Sequence, residues 1–424
     1  ALFLPYPNLQ LIIVDEEHEP SYKQEEGVIY HARDMAVVRG HIEALPVMLV
    51  SATPSMETVY NVQEGRYGKV HLPHRHGGVH LPTVEAVDMR EEKLDSGHWL
   101  SHRLREAIAE TLANGRQAML FLNRRGYAPL LLCRKCGYRF ACEECSSWMV
   151  LHQSHGKLQC HHCGITKPVP KSCPSCGEEE ALVACGPGVE RVAEEAKALF
   201  PQARVEMMTS DTMTSLSTAQ ETVDAMTAGK IDILVGTQMM AKGYHFPNLH
   251  LIGVVDADLG LTGGDLRAAE RTYQLLHQVA GRAGREGEQG RVLLQSYMPD
   301  HPVMEALSAH DRVGLEQLEL TSREDAKLPP FGRMAAVIVD GVQETTVLQY
   351  CQQLARKAPM QDGIRVLGPA PAPLHRLRGR FRYRFLLQAE KHLSLQKYIH
   401  HWLGKPEHSG KLRVRIDIDP YSFL

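Results

Sequence analysis

The chain has 424 residues, with 47 Lys or Arg, 50 Asp or Glu and a formal net charge of -3. This length allows about two to four domains with sizeable cores. A nearly neutral chain excludes a global basic field, so a nucleic-acid site must be a local patch. No apolar run has the length of a membrane span, and no charged-then-apolar leader marks secretion. We therefore expect no membrane partner and a reducing compartment.

Short apolar runs followed by polar residues alternate along residues 1 to 80. Leu11–Val14 and Val47–Val50 are typical of buried parallel strands. The first is followed by Asp15-Glu16-Glu17-His18 and the second by Ser51-Ala52-Thr53. A carboxylate at the end of a buried strand can hold Mg²⁺, and its neighbour can polarise an attacking water. Each motif is weak on its own because acidic loops are common.

A second block of alternating helices and strands begins near residue 100. The stretch before it, His71–Pro82, is rich in Pro, Gly and His and predicts a linker. The predicted strands of the block are Ala118–Leu122, Ile231–Val235 and Leu251–Val255, and a predicted helix covers Val189–Leu199. Cysteines 133 to 176 interrupt this pattern.

Polar motifs also follow these predicted strands. Asn123-Arg124-Arg125-Gly126 follows the first, and Thr237 to Gly243 follows the second. The sharpest motif is Gln278-x-x-Gly-Arg282-x-x-Arg285, since two arginines three residues apart on a helix share one face and can both reach a γ-phosphate. Surface arginines on a Gly-rich turn are the alternative. The order of all five motifs along the chain favours a helicase instead.

Eight of the ten cysteines form Cys-x-x-Cys pairs, which are Cys133/Cys136, Cys142/Cys145, Cys160/Cys163 and Cys173/Cys176. Zinc takes four thiolates in a tetrahedron, so four pairs predict two zinc sites. Three pairings are possible, and the spacing does not choose among them. A redox role is the alternative for one pair, but four pairs so close together favour zinc. Nearby His152, His155, His161 and His162 could substitute as ligands, and the remaining Cys185 and Cys351 are predicted to be buried.

The C-terminal region, which starts near Leu328, contains a run of arginines that alternate with apolar residues or Gly. They are Arg376, Arg378, Arg380, Arg382 and Arg384. In one β-strand all five would face the same way and form a surface that tracks phosphates. A solvated strand face is the alternative.

Taken together, these motifs resemble the PriA family of bacterial replication-restart helicases, within helicase superfamily 2. Asp15–His18, Ser51–Thr53, Thr237–Gly243 and Gln278–Arg285 look like motifs II, III, V and VI. Residues 121–126 and 236–247 and the inserted cysteine pairs are typical of the family. The resemblance covers nearly the whole chain.

The resemblance implies an α/β fold with two RecA-like helicase lobes, an inserted two-zinc cysteine module and an α+β C-terminal domain. The implied domains are the C-terminal part of lobe 1 (1–80), the start of lobe 2 (81–132), the zinc module (133–180), the rest of lobe 2 (181–325) and a DNA-binding domain (326–424). One zinc would be held by the outer pairs, Cys133, Cys136, Cys173 and Cys176, and the other by the inner pairs, Cys142, Cys145, Cys160 and Cys163.

The implied activity is an ATP-dependent 3′→5′ DNA helicase that recognises abandoned replication forks and initiates primosome assembly. Its cofactors would be ATP with Mg²⁺ and two structural zinc ions. Expected partners are forked and single-stranded DNA, single-stranded DNA-binding protein, primosome proteins and the system that loads the replicative helicase. The expected location is the bacterial cytoplasm, at the nucleoid.

The resemblance also assigns residue roles. Asp15 would hold Mg²⁺ and Glu16 would orient the attacking water, and the other implied catalytic residues are His18, Gln278, Arg282 and Arg285. Coupling to ATP is implied for Ser51, Thr53, Gly243 and Asp256. DNA contacts are implied for Tyr22, Tyr30 and His31 of an aromatic-rich stretch, for Arg124, Arg125, Thr237, Gln238 and Lys242, and for the five C-terminal arginines.

One departure from the family pattern concerns the phosphate-binding loop. The family carries Gly-x-x-x-x-Gly-Lys-Thr before motif II, whereas every Gly-Lys in this chain lacks a following Ser or Thr. We therefore expect the chain to lack this loop, the family's N-terminal DNA-binding domain and its winged helix. The alternative function is an inert module that binds zinc, DNA and primosome partners without turning over ATP.

Overall fold

The fold is known from a computed structural model. It describes residues 2–24, 27–72, 81–92, 94, 98–123, 131–133, 135–140, 142–143, 149–152, 157–160, 165–179, 181–184, 188–209, 216–241, 244, 246–261, 265–284, 289–404 and 412–421. Two compact units are present. Unit 1 lies within residues 1–70 and 316–424, and unit 2 lies within residues 71–315.

The strands, in chain order, are β1 (Ile12–Asp15), β2 (Lys23–Gln24), β3 (Tyr30–His31), β4 (Val47–Val50), β5 (Thr83–Asp88), β6 (Gln117–Phe121), β7 (Leu131–Cys133), β8 (Met149–His152), β9 (Lys157–Cys160), β10 (Thr166–Pro168), β11 (Leu182–Ala184), β12 (Val205–Met208), β13 (Ile233–Gly236), β14 (Leu249–Val254), β15 (Arg291–Ser296), β16 (Gly332–Gly341), β17 (Ile364–Leu377), β18 (Arg380–Glu390) and β19 (Leu412–Ile418). The α-helices are α1 (Ala32–Ile42), α2 (Met56–Gln63), α3 (His102–Ala113), α4 (Val189–Leu199), α5 (Leu216–Thr227), α6 (Ala268–Ala280), α7 (Pro302–Ala309), α8 (Arg312–Asp325), α9 (Glu344–Lys357) and α10 (Leu395–Leu403).

Unit 2 is built on a parallel sheet with the strand order β12-β13-β6-β14-β15-β5. Helices α3 and α4 pack on one face, and α5, α6 and α7 pack on the other. Because both faces are covered, residues 118 to 121 of β6 are each 0% exposed. The predicted RecA-like lobe is confirmed, and the predicted strands are displaced by only one or two residues at their ends.

Small antiparallel sheets carry the cysteines. The order β10-β9-β8 forms one of them, and β11 pairs with β7 in another. Leu131, Phe140, Met149 and Leu158 form a buried cluster of their own. The module therefore has a small core separate from the two apolar layers of the motor sheet.

The N-terminal sheet of unit 1 is much smaller, with β1 parallel to β4. The predicted parallel pairing is confirmed. The predicted burial is wrong, because only Val14 of the two predicted runs is buried, while Ile13 is 59% and Met48 51% exposed. Helix α1 contacts both strands and Val14 is buried, so alternate side chains face either α1 or solvent.

The C-terminal part of unit 1 is an antiparallel sheet with the order β17-β18-β16-β19. Helices α9 and α10 cover it, and the rings of Phe385 and Trp402 meet at 5.2 Å. Cys351 is buried in this core, as predicted. The α+β character expected of this domain is confirmed.

The prediction that five arginines share one strand face is wrong. The chain turns between β17 and β18, where Arg378 and Gly379 have φ values of 48° and 78°. Positive φ at both central residues is the geometry of a tight two-residue hairpin turn. Arg376 therefore lies near the end of β17, Arg378 lies in the turn, and Arg380, Arg382 and Arg384 lie on β18. Arg376 and Arg378 are exposed, whereas Arg384 is buried and Arg380 donates to the carboxylate of Asp340.

Within the described ranges, no helix combines the length and the apolar character needed to cross a bilayer.

Candidate functional sites

The first candidate site lies at the end of β1 in unit 1. Asp15 and Glu16 are both exposed there, and the backbone N–H of Glu16 donates to Oδ1 of Asp15 at 3.0 Å. Glu16 has a left-handed backbone with φ of 47°. The hydroxyl of Tyr22 donates to the carbonyl oxygen of Asp15 at 2.7 Å. Two neighbouring exposed carboxylates therefore lie at the carboxyl end of β1, where a cation or a water molecule can reach them.

The next residue, Glu17, is fully buried and has a different role. Its carboxylate pairs with Arg33 at 3.0 Å and accepts from the backbone N–H of Ser55 at 2.6 Å and from the Ser55 hydroxyl at 3.1 Å. Burial disfavours the charge on Arg33, but Asp34 and Glu17 outweigh it and raise the pKa of the guanidinium. Sequence reasoning gave Glu17 no role. Sixteen residues separate it from Arg33, a spacing that carries no periodic signal.

The residues that follow β1 and those that follow β4 are joined through a histidine. Nδ1 of His18 lies 2.7 Å from Oγ of Ser51, and the same Oγ accepts from the backbone N–H of Thr53 at 3.0 Å. His18 is 3% exposed, and its carbonyl oxygen accepts from the hydroxyl of Tyr421 at 2.9 Å. The structure thus brings together the residues predicted at the two strand ends and adds Tyr421, which sequence reasoning missed.

The aromatic-rich stretch is also tied to the C-terminal part of unit 1. The buried ring of His31 lies 5.0 Å from the ring of Tyr421. Burial, reinforced by the charge of Arg33, lowers the pKa of His31 to about 4. Nζ of Lys23 pairs with Asp417 at 2.8 Å. Tyr30 is half-buried. Of the three residues predicted to touch DNA, His31 is therefore enclosed by protein in this conformation.

The second candidate site lies at the carboxyl ends of the strands of unit 2. Nε2 of Gln238, after β13, donates to Oδ1 of Asn123, after β6, at 3.0 Å. Thr237 lies between β13 and Gln238 and is half-buried. Asp256 follows β14, where burial and the neighbouring Asp258 raise its carboxyl pKa to about 6 against the effect of Arg139. Polar side chains from three strands therefore meet one edge of the sheet, where ligands bind in open α/β folds.

The described part of motif VI starts on α6, which carries Gln278 near its end. Arg282 follows the helix, and its Nη1 donates to the carbonyl oxygen of Tyr244 at 2.9 Å. Seven predicted site residues lie outside the described residues, and they are Arg124, Arg125, Cys145, Cys163, Lys242, Gly243 and Arg285.

The outer cysteine pairs form a compact cluster. The Sγ atoms of Cys133, Cys136, Cys173 and Cys176 all lie within 4.8 Å of one another. The Sγ atoms of Cys133 and Cys176 are 3.6 Å apart, and those of Cys136 and Cys173 are 3.7 Å apart. Sulfurs of a tetrahedral site with Zn–S bonds of ~2.3 Å would be about 3.8 Å apart. The cluster therefore fits a structural zinc ion, with no open position for water.

The two turns that supply these sulfurs have the same backbone design. The N–H of Gly137 donates to the carbonyl of Cys133 at 2.8 Å, and the N–H of Gly177 donates to that of Cys173 at 2.9 Å. Both glycines have left-handed φ values, 72° and 74°. This conformation is why Gly follows each pair. Burial opposes the Cys173 thiolate, but backbone N–H donors outweigh it and lower the pKa of Cys173 to about 7.

The inner pairs are only half described. Cys142 is 2% and Cys160 0% exposed, and both lie in the small core beside Phe140 and Met149. Cys145 and Cys163 lie outside the described residues.

Three family models match separate parts of the chain between residues 142 and 421. Residues 142–168 match the "PriA DNA helicase Cys-rich region (CRR) domain", residues 178–287 the "Helicase conserved C-terminal domain" and residues 324–421 the "Primosomal protein N C-terminal domain".

Curated relatives match over the whole chain. A "Replication restart protein PriA" of Rickettsia felis is 48% identical over 423 residues, which are 100% of this chain and 65% of the relative. A protein of the same description from Bacillus subtilis is 39% identical over 431 residues, 100% of this chain and 53% of the relative. Among solved structures, RecG bound to a three-way DNA junction has a TM-score of 0.37 at 14% identity, over 76% of this chain and 31% of that one. The chain thus spans between about half and two thirds of the length of the curated relatives it matches.

Proposed function

Since the chain belongs to the PriA family of replication restart proteins, we propose that it supplies motor and C-terminal parts of an ATP-dependent 3′→5′ DNA helicase. This helicase would recognise abandoned replication forks and initiate primosome assembly. The observation that carries the proposal is the pair of exposed carboxylates, Asp15 and Glu16, at the end of a parallel strand. The His18–Ser51 contact, which links the residues after β1 to those after β4, further supports the proposal.

The proposed chemistry is phosphoryl transfer to water, which depends on positioning and on electrostatic stabilisation. Asp15 would hold Mg²⁺, and the ion would neutralise charge on the phosphates. Glu16 would orient the attacking water. Glu17 already pairs with Arg33 and Ser55, so it would hold the backbone that follows the two exposed carboxylates. Arg282 and Arg285 would act as arginine fingers, which are worth ~10³–10⁵ in rate where they have been measured.

A matched pair of variants tests this assignment in the full-length protein, including any residues beyond this chain. Glu16→Gln keeps the shape of the side chain but removes its charge, so DNA-stimulated ATP hydrolysis should be lost. Glu64→Gln makes the same change at an exposed position at the end of α2 and should leave hydrolysis intact. Normal hydrolysis by Glu16→Gln would reject the role. Partial duplexes with 3′ or 5′ single-stranded tails test the direction of unwinding.

DNA contact is proposed for the tip of the β17–β18 hairpin. Arg376 and Arg378 are exposed there, and the Arg376 guanidinium is 5.3 Å from the ring centre of Phe381. Replacing both with Ala should reduce the salt dependence of DNA affinity by a log–log slope of about 0.7–0.9 for each lost phosphate contact. Arg380→Ala is the control, because Arg380 is already bound to Asp340 and should leave this slope unchanged. An unchanged slope in the double variant would refute the contact.

Two structural zinc ions are proposed, one on the described outer cluster and one on the inner pairs. Each four-thiolate site would hold its turns together and would take no part in the reaction. Elemental analysis should find two zinc ions per chain, with one lost in Cys173→Ser and the other in Cys142→Ser. If the wild type held a single zinc ion that Cys173→Ser removed, the inner pairs would hold no metal. This result would refute the proposal of a second zinc site.

The remaining partners are proposed from the family alone. They are forked and single-stranded DNA, single-stranded DNA-binding protein, primosome proteins and the loading system of the replicative helicase, in the cytoplasm at the nucleoid. The full-length protein should bind a forked duplex more tightly than a blunt duplex of equal length. Equal affinity for both would count against fork recognition.

A further inference from the structure

A short segment after β14, residues 256–261, touches three functional parts of unit 2, and we name it the junction segment. It begins at Asp256 and ends at Leu261, which is buried in the core beside α6. Its middle residue, Asp258, is fully buried. The first link runs from Asp258 to the cysteine module, the second to Asn123, and the third to α6.

The link to the cysteine module is a buried ion pair. Nη2 of Arg139 lies 2.7 Å from Oδ2 of Asp258, and the two side chains are 2% and 0% exposed. The same carboxylate accepts from the hydroxyl of Ser296 at 2.5 Å and from the backbone N–H of Tyr297 at 2.7 Å. The cation and the two neutral donors together fix the orientation of the Asp258 carboxylate, and loss of Arg139 would leave its buried charge unpaired.

Arg139 is itself fixed by the first cysteine turn. It is bridged to Leu132 across the turn that holds Cys133 and Cys136. A Cβ on Gly137 of this turn would come within 3.3 Å of Cβ of Tyr297. The outer cysteine cluster therefore rests against the end of β15, and Arg139 reaches from it to the junction segment.

The other two links meet at Gly260. A Cβ on this residue would lie 2.4 Å from Oγ1 of Thr272 on α6 and 2.7 Å from Nδ2 of Asn123. The backbone of the junction segment thus packs directly on the helix that leads to Arg282 and on the residue that holds Gln238. A displacement of Asp258 can therefore reach both Asn123 and α6 through the short backbone segment that contacts them.

We infer that Arg139 and Asp258 are positioning residues that couple the cysteine module to the motor, so that force on the module is transmitted through the junction segment to Asn123 and α6. This inference rests on the proposed helicase function. Both side chains are buried, so each would act through the segment that it holds and not by contact with nucleotide or DNA. A contiguous run of packed side chains and buried ion pairs is one physical route by which two sites can be coupled.

The test compares two neutral substitutions in the full-length protein. Arg139→Met removes the buried link, and Lys167→Met removes the exposed pair with Glu143 in the same module. Three quantities are measured: zinc content, DNA-stimulated ATP hydrolysis and base pairs unwound per ATP. For Arg139→Met we expect zinc to be retained and hydrolysis to change by less than about threefold, while base pairs unwound per ATP fall by about tenfold. Lys167→Met should match the wild type in all three.

Different failures have different meanings. The inference would be overturned if Arg139→Met unwound as many base pairs per ATP as the wild type. It would also be overturned if this variant lost both zinc and hydrolysis, because that result would show a merely structural role. Should Arg139→Met fail to fold, Arg139→Met/Asp258→Asn, which removes both charges of the buried pair, decides by the same readouts. A wild-type protein without DNA-stimulated hydrolysis would overturn the proposed function and this inference together.

Discussion

The two parallel sheets of the molecule hold their motifs in opposite ways. In unit 2, β6 is enclosed on both faces, and its residues from Ala118 to Phe121 are 0% exposed. In unit 1, β1 and β4 form a two-stranded sheet that leaves Ile13 and Met48 more than half exposed. The residues that follow β1 are nonetheless anchored by the buried Glu17–Arg33 pair and by the His18–Ser51 contact.

The difference shows that an apolar run predicts a strand without fixing how much of it is buried. Apolar burial positions the strand ends of unit 2, because shifting β6 would expose side chains on both faces. Polar contacts position the strand ends of unit 1. Such contacts depend on charge and pH, whereas apolar packing depends on shape and volume. The two units should therefore respond to different perturbations.

The largest effect is expected from truncation in the core of unit 2. Phe121→Ala removes a fully buried ring and should lower the free energy of unfolding by about 4 kcal/mol, within the usual range for Phe→Ala. Ile13→Ala removes a mostly exposed side chain in unit 1 and should cost less than about 0.5 kcal/mol. Calorimetric unfolding of both variants tests the contrast. Equal losses would mean that β1 is as enclosed as β6.

A smaller loss of stability is expected when the buried polar contacts around Glu17 in unit 1 are broken. Arg33→Met leaves Glu17 buried without its cation, which should cost about 3 kcal/mol. This is the low end of the usual range, because Ser55 still donates two hydrogen bonds to Glu17. Lys327→Met, which removes an exposed ion pair with Glu390 in the same unit, should cost less than about 0.5 kcal/mol. Similar unfolding temperatures for both variants would mean that the buried Glu17–Arg33 pair does not stabilise unit 1.

The dependence of unit 1 on pH sharpens the comparison further. The pKa of His31 is lowered to about 4 in the folded protein, from 6.5. A neutral buried His stabilises the fold above the unfolded pKa, and this contribution is lost as pH falls toward the folded pKa. Stability should therefore drop by about 2 kcal/mol between pH 7 and pH 5. His31→Phe should remove this part of the pH dependence. An unaltered pH profile in that variant would exclude His31 as its source.

The sequence predicted the two sheets better than it predicted their surroundings. Five of the described parallel strands were found because each is a short apolar run followed by polar residues, whereas β5, β12 and β15 were not predicted. The hairpin at Arg378 and Gly379 was missed because a two-residue turn leaves the alternation of arginines unbroken. The contacts of Lys23 with Asp417 and of Tyr421 with His18 were missed because about 400 residues separate the partners, and no local pattern reports on such a distance.

The metal site shows a similar division. The four Cys-x-x-Cys pairs predicted zinc, but the spacing left three pairings open. The outer grouping came only from the family resemblance, and the described sulfurs of Cys133, Cys136, Cys173 and Cys176 do lie together. Arg139, three residues beyond the first pair, carried no signal. Its partner Asp258 is 119 residues away.

The smallest effect on stability is expected from a single hydroxyl, and it tests whether polar contacts in unit 1 serve the motif they hold. Tyr421→Phe removes the donor to the carbonyl of His18. Tyr398→Phe removes a bond of the same kind, from a buried Tyr hydroxyl to the carbonyl of Pro359 at 2.7 Å, inside the C-terminal fold. Each loss should cost about 1 kcal/mol.

The two variants should differ in function, because only one of the bonds reaches motif II. If Tyr421 positions His18, and through it Ser51, then Tyr421→Phe should lower DNA-stimulated ATP hydrolysis by about tenfold, while Tyr398→Phe leaves it near wild type. Hydrolysis rates at saturating DNA and ATP, measured beside unfolding temperatures, separate the two effects. Equal hydrolysis in the two variants at equal stability would show that the Tyr421 bond only supports the fold.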